Sequence, residues 1–142
     1  MFKRLPGMKK TLLLFLIIAL VSCKDNRLQE YNQLVKEADR FEIYFRASGR
    51  TVPIPARLTN KFKTILTRKI EPGDPHQFTD NARIDMYTGN KRTGYLLVVE
   101  DATNSYANFK SGSLHFGFQP SYEIGLSIDN ISEWADNQSN KP

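Results

Sequence analysis

Four stretches of this 142-residue chain place an apolar side chain at every second position, and that period restricts its fold more than any other feature. They are Phe41-Ile43-Phe45, Ala82-Ile84-Met86, Leu114-Phe116-Phe118 and Tyr122-Ile124-Leu126-Ile128. Successive side chains of a pleated strand point to opposite faces, so each stretch predicts a strand with one dry and one wet side. Tyr95-Leu96-Leu97-Val98-Val99 is a fifth strand and the most apolar, joined to residues 82–87 through a hairpin connection at Gly89-Asn90. Val52-Pro53-Ile54-Pro55 cannot join a central strand, because two prolines remove ladder donors. Ser48-Gly49-Arg50 turns the chain just before it, and Asn104 to Gly112 reads as a connection containing Tyr106 and Phe109.

Elsewhere the apolar period is that of a helix. Leu28, Tyr31, Leu34, Val35 and Ala38 fall on one face, with Arg27, Glu30, Lys36, Glu37 and Arg40 around them. Pro55 opens a second helix, whose stripe is Leu58, Phe62, Ile65, Leu66 and Ile70 and whose outer side carries Arg57, Lys61, Lys63, Arg68 and Lys69. Residues 71–81 hold two prolines and a glycine with little periodicity, which predicts a loop. Asn130 and Glu133 fit a capping box for a short last helix with Ile131, Trp134 and Ala135, and residues 137–142 read as a frayed end. The order predicts an α+β domain of two layers, an antiparallel sheet of about five strands covered by helices on one face. There is no internal repeat and no low-complexity tract.

The first 23 residues have another composition. Lys9 and Lys10 precede an apolar run from Thr11 to Val21, then come Ser22 and Cys23. A basic start, about ten apolar residues and small residues before a cut site make a secretory signal, with Met1 or Met8 as its start. A transmembrane helix needs roughly 20 apolar residues, and Lys24-Asp25-Asn26-Arg27 closes this run at half that length. Leu20-Val21-Ser22-Cys23 resembles the lipobox of bacterial lipoproteins: an aliphatic residue, a tolerant position, a small residue, then cysteine. The resemblance implies that Cys23 receives a diacylglyceryl group, that residues 1–22 are removed, and that residues 23–142 form a single lipid-anchored domain. Thiolate is the strongest nucleophile the chain offers for that transfer, and two or more acyl chains make attachment stable. Lys24, where enterobacterial inner-membrane lipoproteins carry aspartate, implies the outer membrane. Cys23-Lys24-Asp25 also resembles in part the start of surface-exported lipoproteins of Bacteroidota.

Charge agrees with a leader rather than with nucleic acid. The net +5 includes Lys3, Arg4, Lys9 and Lys10, and from Lys24 onward 16 basic residues face 15 acidic ones. With Cys23 the sole cysteine and spoken for, cysteine catalysis and an internal disulfide are excluded. Only His76 and His115 could serve as an imidazole base, and no G-x-S-x-G elbow or phosphate-binding glycine loop is present. Ser113 and His115 share a face if both lie in a strand, yet no third group is indicated, and His115 belongs opposite the core. Asp74, His76 and Asp80 are three possible ligands in one loop, short of the spacing of zinc or calcium sites. The expectation is no catalytic residue, no metal and no cofactor.

Aromatic residues are abundant, six Tyr and nine Phe among them. Tyr44 and Tyr87 fall on the wet side of their strands beside Arg46 and Arg83, and exposed Tyr and Arg make effective contact residues. These four are the candidate ligand-binding set. The reading is a lipid-anchored, non-catalytic binding or accessory protein of the cell envelope, partnered by the membrane through Cys23 and by an envelope protein or small ligand. The alternative is an envelope inhibitor or immunity-type protein that inserts the loop Gly73–Thr79 into a toxin or enzyme.

Overall fold

A computed structural model describes residues 25–100 and 105–120, together with Glu133 and Asn137. Helix α1 (Arg27–Glu37) leads into strands β1 (Arg40–Phe45) and β2 (Arg50–Pro53). A 3-10 turn (Ala56–Leu58) runs directly into α2 (Thr59–Thr67), followed by β3 (Ala82–Thr88), β4 (Lys91–Glu100), β5 (Ser105–Ser111) and β6 (Leu114–Phe118). Among the described residues the strands form one six-stranded sheet in the order β2-β1-β3-β4-β5-β6, with every neighbouring pair antiparallel. Only β1 and β3 are neighbours without being consecutive, and the chain between them carries β2, α2 and the long loop.

Register turns the alternation into a continuous dry face. Phe41 lies opposite Met86 and Ile43 opposite Ile84; Ile84 in turn faces Leu96, Leu96 faces Phe109, and Phe109 faces Phe116. All are buried. A one-residue slip would send this whole set into water, so burial fixes the pairing. Both helices cover this face: Tyr31, Val35 and Ala38 of α1 and its end, and Leu58, Phe62, Ile65, Leu66 and Ile70 in and around α2, enter the same core. Tyr31 packs edge-on against Phe109 at 4.8 Å and Phe116 at 5.7 Å, while its hydroxyl donates to the Leu66 carbonyl at 2.8 Å and ties the helices together. Burial pushes the pKa of that hydroxyl upward. Gly94 leaves the space the Phe109 ring needs, since a Cβ there would sit 3.0 Å from it.

The two-layer α+β architecture is the expected one, with two differences in the sheet. Residues 105–111 form strand β5 rather than a connection. Ala107 and Phe109 keep the period on the dry side, and flanking partners on both sides compensate for the modest strand preference of Asn108 and Lys110. Val52 and Pro53 stay out of the sheet centre as expected, yet they add an edge strand, β2, where a proline costs no shared donor. The predicted strand 122–128, the last helix with Ile131, Trp134 and Ala135, the frayed end, and the leader with Cys23 lie outside the described residues; Glu133 and Asn137 are helical and exposed. Among the described residues no helix is long and apolar enough to cross a membrane.

Candidate functional site

Neither helix covers the other side of the sheet, and this wet face divides into two halves. Over β5 and β6 it is crossed by the loop that follows α2. Arg27 holds the start of that loop, with Nη1 donating to the Gly73 carbonyl at 3.3 Å. Gly73 and Gly117 then exchange backbone hydrogen bonds of 2.8 and 3.1 Å, an antiparallel bridge at the β6 edge. Past the bridge the chain turns over the face. His76 N–H donates to Asn108 Oδ1 at 2.8 Å, and Asn108 Nδ2 donates to the His76 carbonyl at 2.7 Å. A side-chain amide here does what a strand neighbour would do. The His76 ring leans on Tyr106, centroids 4.6 Å apart. Gly117 makes the crossing possible, because a Cβ there would meet the Asp74 carbonyl oxygen at 2.5 Å.

The far end of this strap is fixed as well. Asn81 accepts from Arg46 N–H and donates to the Val98 carbonyl, while the Arg46 guanidinium forks onto both Asp80 oxygens at 2.8 Å. The paired carboxylate raises the Arg46 pKa. Gly73–Thr79 is therefore held along the sheet at both ends, with Asp74, Pro75, His76, Gln77 and Thr79 exposed.

Over β1, β3 and β4 no segment among the described residues crosses the wet face, and this half is called bare in that sense. Asp85 lies at its centre with only 3% of its side chain exposed. Arg83 Nε reaches its two oxygens at 2.9 and 3.0 Å, and Arg92 Nη1 reaches one at 3.1 Å. Register brings these groups together. Glu42 and Tyr95 flank Asp85 on the neighbouring strands, Tyr44 faces Arg83, and Tyr87 lies between Arg40 and Arg92. A bulge at Met86/Tyr87 puts Arg92, and not Thr93, opposite Tyr87. Each guanidinium covers a tyrosine ring: Arg40 on Tyr87 at 4.0 Å, Arg92 on Tyr95 at 5.1 Å and Arg83 on Tyr44 at 5.3 Å. Arg40 also pairs with Glu42. Burial, then the charges of Glu42 and Asp85, raises the Tyr87 pKa and keeps it a neutral donor. The arginine side chains remain 36–45% exposed. The result is a flat lattice of alternating rings and guanidiniums that offers π faces and N–H donors outward.

Of the four predicted contact residues, the structure brings Tyr44, Arg83 and Tyr87 together on the bare half. Arg46 is drawn out of the lattice onto Asp80 at the end of the strap. Sequence reasoning missed Asp85, Arg92, Tyr95 and Arg40. Asp85 carried a signal in its wet-side position between Arg83 and Tyr87, whereas Arg92 needs the bulge. His115 is exposed on the wet side as expected, but Ser113 sits in the turn after Gly112 and shares no strand face with it. Asp80 is turned to Arg46 and His76 to Tyr106, and among the described residues no three His, Cys, Asp or Glu side chains converge as metal ligands. No family model, curated protein or solved structure matches this chain.

Proposed function

We propose that this chain is a lipid-anchored, non-catalytic binding or accessory protein of the bacterial cell envelope, held at the outer membrane through Cys23. Its contact surface is the bare half of the sheet. The observation that carries this reading is the lattice of three arginine–tyrosine pairs around the buried Asp85. Tyrosine and arginine dominate the energetics of contact surfaces because each offers a large, stiff area with a polar tip. Here both are already ordered by their neighbours, so a partner meets a surface whose side-chain entropy is largely spent before contact. The leader supplies the anchor and the compartment, and the domain supplies the surface.

Purification from native membranes in mild detergent tests both parts. The expected result is a diacylglyceryl mass on the Cys23 peptide and a stoichiometric partner that Tyr44→Ala/Tyr87→Ala loses. An unmodified Cys23 removes the anchor, and a partner retained by the double variant removes the surface.

A further inference from the structure

We infer that the outer side of α2 docks on an anionic lipid surface, which sets the helical layer against the membrane and turns the bare sheet half away from it. The inference rests on the anchored reading above for its geometry, and on three observations for its chemistry. First, residues 55–70 carry five cations and no acid, a sign asymmetry found nowhere else in a mature chain that is nearly neutral. Lys63 is half-buried and spends its ammonium on the Lys36 carbonyl, capping α1 at 2.7 Å. Arg57, Lys61, Arg68 and Lys69 are all exposed; Lys61 and Arg68 hold partners of their own and still face water.

Second, Lys69 has a φ of +48° just past the end of α2. Helices commonly end with glycine in this left-handed conformation, because a Cβ there crowds the backbone. A lysine at that place sacrifices stability that glycine would keep, so the position separates the cost of the backbone from the use of the charge.

Third, the packing puts this charge beside the start of α1, which is close in sequence to Cys23. Tyr31 reaches Leu66 and Lys63 reaches Lys36, so the two helices run antiparallel, and Arg27 touches Gly73. The end of α2 therefore lies next to the first turn of α1. Asp25 is two residues from Cys23, a reach of about 7 Å of extended chain. With the lipid in the bilayer, Arg68 and Lys69 come within screening distance of the headgroups. Each cation near such a surface strengthens binding about fivefold. The sheet lies on the far side of the core, so its wet face looks outward.

The test uses the full chain with Cys23→Ser, which carries no lipid, and vesicles of phosphatidylcholine with and without an equal part of phosphatidylglycerol. Residues 1–22 are common to all chains compared, so differences between variants belong to the domain. Partition onto the anionic vesicles should weaken about 25-fold in Arg57→Gln/Lys69→Gln and stay unchanged in Lys91→Gln/Lys110→Gln, which removes two exposed cations from the sheet. Lys69→Gly is the decisive variant, because it should raise the thermal midpoint while weakening partition about fivefold. Equal losses in the α2 and sheet pairs, or a Lys69→Gly chain that binds as before, overturn the inference. So does an acidic envelope protein that only the α2 pair loses while vesicle binding persists. Failure of the anchor itself is read separately, as a Cys23 without added mass in the chain with its cysteine intact.

Discussion

The strapped and bare halves of the wet face share one pleat and one register, yet they satisfy their buried polar groups in opposite ways. Asn108 and Asp85 are the buried polar residues among those described, 7% and 2% exposed, and each sits at the centre of one half. Asn108 has both a donor and an acceptor, so it can grip the backbone of His76 and hold a passing chain as a strand would. Asp85 only accepts. It gathers Arg83 and Arg92, and these cover Tyr44 and Tyr95 without closing the surface. An amide at a sheet centre brings in the protein's own chain, whereas a carboxylate brings in cations and leaves their outer faces for something else.

That contrast breaks most sharply at Gly117. Gly117→Val forces a side chain into the Asp74 carbonyl and the His76 ring, and should cost about 3 kcal/mol in urea denaturation while uncovering Tyr106. Asp85→Asn should cost about 2 kcal/mol, less than a fully buried pair, because the half-exposed arginines can turn back to water. Its larger consequence is a disordered lattice, visible as loss of the partner. Asn108→Ala should cost about 1 kcal/mol, since the His76 backbone is exposed enough to find water instead. It should also speed amide exchange at residues 74–78 and leave the bare half unchanged.

Tyr44→Ala/Tyr87→Ala sharpens the comparison from the other side, with a stability change of about 1 kcal/mol or less and complete loss of the partner. The smallest effect is in pH. The Tyr87 pKa is raised in the folded chain, so its contribution is fully present below the ordinary tyrosine value near 10 and fades as pH climbs past it. Alkaline titration of Tyr87→Phe against the parent should show curves that agree below about pH 10 and separate above it.

The dry side of the fold was legible because burial acts on a period. Phe41, Ile43, Ile84, Met86, Phe116 and Phe118 announce their face by alternation, and Leu58, Phe62, Ile65, Leu66 and Ile70 announce theirs by helical spacing. Strand β5 was missed because Ala107 is small and Asn108 resembles a loop residue; its place depends on β4 and β6, which local sequence does not contain. The site was legible as far as alternation reaches: Tyr44, Arg83 and Tyr87 share the wet side by count alone. Arg46 also counts to that side, but β1 ends at Phe45, and Asp80, 34 residues away, takes its guanidinium. Arg92 is displaced by one residue through a bulge that no local pattern marks. Contacts set by register and by long-range ion pairs are tertiary facts.

Arginine-directed labelling read by mass spectrometry separates a contact surface on the bare half from one anywhere else on the domain. The native complex in detergent is compared with the same chain freed of its partner, following Arg40, Arg83 and Arg92 on the bare half and Arg46 at the end of the strap. A contact surface on the bare half gives strong protection of the first three in the complex, with Arg46 labelled equally in both. Unchanged labelling of Arg40, Arg83 and Arg92, with protection confined to Arg46 or to the helical layer, would contradict it.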